Sequence, residues 1–237
     1  MDFYVILIII ITAAIQSFFA VGVLLFGTPL MLLLGYPFFE TLVVLLPVSL
    51  LINILQIYKD FTYLNKNLYF DVLKFTVPFI VISLYLISKI NYDPTMLIGF
   101  FLLLISIKNY VLILDQGLQI IFKFNKSYLI FMGIVHGLTN LGGSLLTAKV
   151  FRENLNKIET RSTIAFSYMT FAVFQIITVL LLDIYFKVEY FIYISVGFLV
   201  YLIMNKFFFH RVSDKRYNNI FSVFLALSGV MLILKGV

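Results

Sequence analysis

The most regular feature of the chain is a series of long apolar runs separated by short polar segments. A run of about 20 apolar residues is long enough for a helix to cross the hydrocarbon core of a bilayer. The pattern therefore predicts an all-α polytopic membrane protein with about eight helical segments; a β-barrel, whose strands alternate apolar and polar residues, is disfavoured. The runs cover approximately residues 3–34, 37–58, 69–88, 95–114, 127–150, 162–182, 188–208 and 218–235.

Glycine and proline interrupt two of these runs. The run over 3–34 would measure about 48 Å as one straight helix, well beyond the ~30 Å hydrocarbon core. We therefore predict that it is broken, and that the glycine-rich run over 127–150 is broken in the same way. The interrupting residues are Gly22, Gly27, Pro29 and Gly35 in the first run and Gly133, Gly137, Gly142 and Gly143 in the second.

The two interrupted runs resemble each other, which indicates an internal duplication. The segment from Gly22 to Leu30 aligns with residues 137–145 at an offset of 115, and Gln56 aligns with Gln175 at an offset of 119. We predict a first repeat over 1–114, a polar linker over 115–126 and a second repeat over 127–237.

Basic residues test the topology through the positive-inside rule. If every run crossed the membrane, Lys and Arg would divide 8 to 9 between the two sides. If 127–150 enters and returns on its own side, 14 share one face and only Lys89, Lys187 and Lys235 lie opposite.

Because the two halves resemble each other, we predict the same re-entrant path for residues 3–36. Each half is then a broken hairpin plus three transmembrane helices, and this odd number inverts the second half, as in transporters with inverted repeats. Both termini would lie outside a bacterial inner membrane.

Composition excludes several classes of function. Hydrophobic residues make up 62% and charged residues 12% of the chain, against about 25% charged in soluble domains, which excludes an ordinary soluble enzyme. All acidic residues lie in loops or at run ends, there is no cysteine, and no HExxH, GxSxG or Walker motif occurs. We expect no catalytic residues, no metal and no cofactor. The net charge is +6, but the basic residues stand between the apolar runs, so they indicate membrane topology and not nucleic-acid binding.

The two glycine segments are the strongest candidates for a binding site. Thr28 and Pro29 after Gly27 are typical of a helix start, with Thr28 as N-cap and Pro29 in the first turn. Gly142, Gly143 and Ser144 predict a second start. Two helix N-termini facing each other inside the membrane would bind a small anion through free N–H groups. The alternative is that such glycines serve close helix packing, the reading we favour for Gly22, Gly133 and Gly137.

Uncharged polar residues supply the other candidates, because a buried amide needs partners in hydrocarbon and should face the protein interior. His136 adds a group that titrates and could couple protons, although a neutral, packed histidine is the plainer reading. The amides could equally form hydrogen bonds between helices. The candidates of this kind are Asn53, Gln56, His136, Asn140 and Gln175, while Gln16 and Thr139 lie at similar depth without an assigned role.

These features together resemble the TauE/SafE family of membrane anion permeases, also called the sulfite exporter family. The resemblance rests on Gly22 to Gly35 with Pro29, followed by a helix ending near Gln56, and on Gly133 to Ser144, followed by a helix containing Gln175. It implies secondary transport, without an ATPase, of small sulfur-containing or organic anions such as sulfite or sulfonates. The partners expected are a small anionic substrate and the lipid bilayer, with a homodimer as an option. An anion channel, or a membrane-embedded partner or assembly protein without transport, remains the alternative.

Overall fold

The computed structural model describes residues 2–19, 21–90, 93–107, 125–153, 155–208, 226 and 228–235. These residues form α-helices and one short 3-10 helix (Phe61–Tyr63) and contain no strand, which confirms the predicted all-α polytopic class. Of the predicted linker, residues 115–124 lie outside the described residues, and residues 125 and 126 belong to a helix. The helices are α1 (Phe3–Phe19), α2 (Val23–Leu33), α3 (Phe38–Asp60), α4 (Lys66–Phe75), α5 (Val77–Ile90), α6 (Thr95–Ile107), α7 (Asn125–Thr139), α8 (Gly143–Arg152), α9 (Lys157–Leu181) and α10 (Tyr190–Phe208), with a C-terminal helix over 228–235.

Three helical spans in the described part are long and apolar enough to cross a membrane: Phe38–Tyr58, Lys66–Ile90 and Ile158–Leu181. The second of these combines α4 and α5, which are separated only by a turn at Thr76. Pro78 has no N–H group and cannot donate to the preceding turn, so it marks the natural place for this kink. α3 packs along α9 at the centre of the bundle, and the other helices surround this pair.

Both interrupted runs are broken, as predicted. α1 and α2 are separated by residues 20–22, and α7 and α8 by residues 140–142. The hydroxyl of Tyr36, after α2, donates a hydrogen bond to the carboxylate of Asp2, before α1. The first hairpin therefore begins and ends at the same face of the bundle.

The two faces differ in charge. We call the face that holds Asp2, Tyr36 and Lys235 the termini face, since the Lys235 ammonium donates to the carbonyl of Leu32 at the end of α2. The opposite face, where the Ser162 hydroxyl donates to the Asp60 carbonyl, is the basic face. Within the described part of the chain, Lys89, Lys187 and Lys235 belong to the termini face, while the basic side carries Lys66, Lys74, Lys126, Lys149, Arg152, Arg161 and Lys206. This is the distribution that the re-entrant topology predicts.

Close packing explains Gly133 and Gly137. A Cβ at either position would collide with a backbone carbonyl of the α4–α5 span, that of Thr76 or that of Ile80. Small residues four apart let two membrane helices approach closely. The packing reading of these two glycines is therefore confirmed, and they fix α7 against α5.

The two hairpins have the same layout, but not in the predicted register. α1 ends at Phe19 and α7 at Thr139, and α2 begins at Val23 and α8 at Gly143, so the offset is 120. The alignment at 115 is wrong because it pairs residues with different roles. Gly22 precedes α2 and touches the backbone of α1, whereas Gly137 lies inside α7.

Candidate functional site

The break in the first hairpin is held by Gln16, near the end of α1. Its Oε1 accepts a hydrogen bond from the backbone N–H of Val23 at 2.8 Å, and its Nε2 donates to Oδ1 of Asn53 at 2.9 Å. Gln56 donates from Nε2 to the Gln16 carbonyl at 2.8 Å. The first N–H of α2 is thus capped by a side chain from the preceding helix, and α3 supplies the supporting amides.

The break in the second hairpin is held in the same manner by His136, near the end of α7. Its Nδ1 accepts from the backbone N–H of Gly142 at 3.1 Å, and its Nε2 is 3.2 Å from Oε1 of Gln175 on α9. Gln175 also donates from Nε2 to Oδ1 of Asn140 at 3.3 Å. Because Gly142 is the donor, Nδ1 carries a lone pair and the ring is neutral, with its proton on Nε2.

One hydrogen bond joins the two hairpins. Asn140 donates from Nδ2 to Oγ1 of Thr28 at 2.9 Å. Asn140 has a φ of 61°, in the left-handed region that asparagine tolerates better than most residues, and this conformation ends α7. The contact connects the loop of the second hairpin with the middle of α2.

The helix start predicted at Thr28 and Pro29 is wrong. α2 begins at Val23 with Gly22 as its N-cap residue, so Gly27, Thr28 and Pro29 lie inside the helix. The apolar residues before Gly27 are already helical, because the first turn of α2 begins at Val23. The side chain of Gln16 caps this turn, in place of the Thr or Ser side chain that usually caps a helix. Thr28 still belongs to the site, through Asn140, while a Cβ at Gly27 would meet only the flexible Leu45 side chain.

The second predicted start is confirmed. α8 begins at Gly143, with Gly142 as its N-cap residue. Ser144 does not cap the helix, because its hydroxyl donates back to the Leu141 carbonyl at 3.2 Å. Gly143 is required for a different reason: a Cβ there would overlap the hydroxyl of Tyr168 on α9.

The two breaks lie at different depths. α3 and α9 run in opposite directions and are aligned where Ser162 meets Asp60. Gln56 lies four residues from Asp60, about 6 Å along the helix, and Gln175 lies thirteen residues from Ser162, about 20 Å. The predicted arrangement of two N-termini facing each other is therefore corrected. The site consists of two half-sites, which the Thr28–Asn140 bond joins. The Gln16 half-site (Gln16, Asn53 and Gln56) lies toward the basic face, and the His136 half-site (His136, Asn140 and Gln175) lies toward the termini face.

The whole cluster is buried. Thr28, Asn53, His136, Asn140 and Gln175 are each 0% exposed, and Gln56 is 2% exposed. Most of these polar atoms are paired, but Oε1 of Gln56 is buried and has no partner among the described residues. An unpaired acceptor in a membrane interior is costly, so it marks a place for water or a ligand that donates a hydrogen bond.

Sequence reasoning missed two parts of the site. Gln16 had no assigned role, because the N–H group that it caps belongs to the next helix and leaves no local pattern around Gln16. Tyr168 and Phe171 pack their rings against His136, with centroids 5.8 and 4.9 Å away, and only the period of α9 relative to Gln175 could have indicated them. Within the described ranges no group of three or more His, Asp or Glu side chains is placed to hold a metal ion.

Comparison with known families assigns the chain. The model of the family described as sulfite exporter TauE/SafE matches residues 5–232, nearly the whole sequence. Comparison with curated proteins gave no match, and neither did comparison with solved structures. The matched range contains the breaks of both hairpins and every residue of the two half-sites. The chain therefore belongs to the TauE/SafE sulfite exporter family, a family of membrane transporters.

Proposed function

We propose that the protein is a secondary transporter of small anions, with sulfur-containing or organic anions such as sulfite or sulfonates as substrates. The observation that carries this proposal is that α2 and α8 both begin inside the bundle, at buried breaks. The first N–H groups of a helix have no intrahelical partner, and the helix dipole makes that end positive. Each break is therefore suited to an anion without a fixed charge.

The chemistry of the cluster supports reversible binding. Its side chains are amides, a hydroxyl and a neutral imidazole, which donate hydrogen bonds but carry no full charge. Capping by Gln16 and His136 means that an arriving anion replaces an existing hydrogen bond rather than filling an unsatisfied donor. A ligand held in this way is released more readily than one paired with lysine or arginine.

Burial favours a carrier over a channel. The half-site residues named above are nearly inaccessible to solvent, so neither half-site opens directly to a face. A carrier must alternate between states in which the site opens to one side and then the other. The common layout of the two hairpins supports inverted repeats over 1–114 and 127–237, whose relative motion would produce this alternation.

Orientation follows from charge. The positive-inside rule places the basic face toward the cytoplasm of a bacterial inner membrane, so that Asp2 and Lys235 at the termini face lie outside.

A thermal-shift panel on the purified protein in detergent tests the anion site. Sulfite, sulfate, methanesulfonate, acetate and chloride are compared at equal ionic strength, because a ligand that binds the folded state raises its stability by mass action. We expect a saturable shift with one class of sulfur oxyanion and a smaller shift in Gln56→Met. Equal, non-saturating behaviour with every anion would contradict the anion site and favour a partner-binding protein.

A further inference from the structure

Each broken hairpin carries one side chain that accepts a hydrogen bond from a backbone N–H group at the start of its own inner helix. Gln16 lies three residues before the end of α1, and His136 lies three residues before the end of α7. The two capping residues are thus equivalent in position, although Gln16 bonds the N–H of the first helical residue, Val23, and His136 bonds the N–H of the N-cap residue, Gly142. They differ in chemistry, because an amide does not titrate and an imidazole can bind a second proton.

Protonation of His136 would change the cap of the second hairpin and would leave the cap of the first hairpin, formed by Gln16, unchanged. In the neutral ring, Nδ1 accepts from the Gly142 N–H and Nε2 donates to Gln175. A proton added at Nδ1 turns both ring nitrogens into donors. The cap to Gly142 is then lost, and Nδ1–H and the Gly142 N–H become two neighbouring donors without an acceptor between them.

We propose that His136 is the proton-binding residue of this transporter and couples the movement of one proton to that of one monovalent anion. The inference rests on the proposed anion transport. An anion at the His136 half-site accepts hydrogen bonds from both freed donors. A lone imidazolium and a lone anion are each costly in a membrane interior, whereas the pair carries no net charge. The proton enters with the anion from one side, rests on Nδ1, and leaves with it on the other.

Among the described residues, the direct contacts of His136 are with uncharged groups. Tyr168 of α9 is the titratable side chain whose ring contacts it, together with Phe171. The other contacts come from Gln175 and Gly142, and among the described residues no charged side chain touches the imidazole. The described charged side chains of α7 and of the helices packed around it form no hydrogen bond or ring contact with His136: they are Lys66, Asp71 and Lys74 on α4, Lys89 on α5, Lys126 on α7, Lys149 and Arg152 on α8, and Glu159 and Arg161 on α9.

Accumulation of sulfite in proteoliposomes tests the coupling. Vesicles containing the full chain are held at equal, mildly acid pH on both sides, where sulfite is largely a monovalent anion, and a potassium gradient with valinomycin sets an inside-positive potential of about 100 mV. This potential is equivalent to an accumulation of about 50-fold for one uncompensated charge. An anion that moves with one proton carries no net charge and does not respond.

We expect wild-type vesicles to equilibrate sulfite to a ratio near one. His136→Gln, which installs the amide found in the first hairpin, is expected to transport more slowly but to accumulate sulfite about 50-fold. His136→Asn, whose Oδ1 can replace Nδ1 as acceptor, is the second variant, with the same expected ratio. A ratio near one in a variant that folds and transports would show that another group carries the proton and would remove His136 from the coupling.

Two results with the wild-type protein would also overturn the proposal, and they distinguish a failure of the coupling from a failure of the proposed function. A wild-type accumulation of about 50-fold would show transport of an uncompensated anion and would remove His136 from coupling while leaving the transporter intact. Flux no faster than in protein-free vesicles, for sulfite and for methanesulfonate, would contradict the proposed function itself.

Discussion

Asn140 donates a hydrogen bond to the hydroxyl of Thr28 at 2.9 Å, and both residues are fully buried. The bond connects residues that are 112 positions apart, one in the loop of the second hairpin and one in the middle of α2. Asn140 is in turn bonded to Gln175, so the bond connects α2 to the His136 half-site. If one half of the protein moves against the other, this hydrogen bond must either break or move together with both residues.

The first prediction concerns that bond. Thr28→Val keeps the shape of the side chain but leaves Nδ2 of Asn140 unpaired, so we expect the free energy of unfolding to fall by about 1–2 kcal/mol. Thr28→Ser keeps the hydroxyl and is the matched control. Titration with SDS followed by circular dichroism measures the difference. A Thr28→Val protein as stable as the wild type would mean that the hydroxyl and its bond to Asn140 contribute nothing to stability.

The two glutamines should behave differently. Gln175→Leu leaves Nε2 of His136 and Oδ1 of Asn140 without a partner, so we expect a loss of stability of about 1–2 kcal/mol more than in Gln56→Met, which also removes an unsatisfied oxygen. Sulfite flux should fall in both variants. The same SDS titration, together with a flux assay at matched protein content, separates the effects. A Gln56→Met protein that is the less stable of the two would contradict the assignment of the unpaired oxygen.

The sequence predicted the helices and the two breaks, since apolar length and glycine content depend on composition alone. It did not predict where α2 begins. Thr28 and Pro29 carry a strong local signal for a helix start, but the first turn forms earlier because Gln16 from the neighbouring helix supplies the cap at Val23. A cap from another element is a tertiary contact and leaves no local pattern. The Thr28–Asn140 bond could not be predicted for the same reason.

The glycines of the two hairpins should differ in their tolerance of alanine. In Gly143→Ala the new methyl group would overlap the hydroxyl of buried Tyr168, so we expect a large loss of folded protein, of about 1–3 kcal/mol or more. Gly27→Ala is the control, because its methyl group would lie 2.9 Å from a terminal carbon of flexible Leu45. Yield and thermal stability in detergent measure both. Partial rescue of Gly143→Ala by Tyr168→Phe would confirm the cause, and equal tolerance of the two alanines would contradict it.

Asp2 and Tyr36 provide a prediction on pH. The hydrogen bond from the Tyr36 hydroxyl holds the pKa of the Asp2 carboxyl below its ordinary value of 3.8, and the same bond raises the pKa of Tyr36. A lowered pKa in the folded state stabilises the fold above the unfolded-state pKa, and this contribution is lost as pH falls through the folded value. The contact should therefore persist at neutral pH and weaken only below 3.8.

Carbon-13 NMR of labelled aspartate measures this effect. In Tyr36→Phe the Asp2 carboxyl loses its main donor, so its pKa should rise toward the ordinary value. Tyr185→Phe, in another loop at the termini face, is the control and should leave the Asp2 titration unchanged. An Asp2 carboxyl that titrates identically with and without the Tyr36 hydroxyl would show that the two groups are not bonded in solution.

The central claim is that the two buried helix starts carry a small anion across the membrane. Counterflow in proteoliposomes measures this most directly: vesicles loaded with unlabelled sulfite are diluted into a trace of radiolabelled sulfite, and uptake is followed over time. A carrier predicts a transient overshoot that saturates with internal sulfite and is greatly reduced in Gln56→Met. Uptake without overshoot and linear in concentration would indicate a channel, and the absence of uptake above protein-free vesicles would contradict the claim.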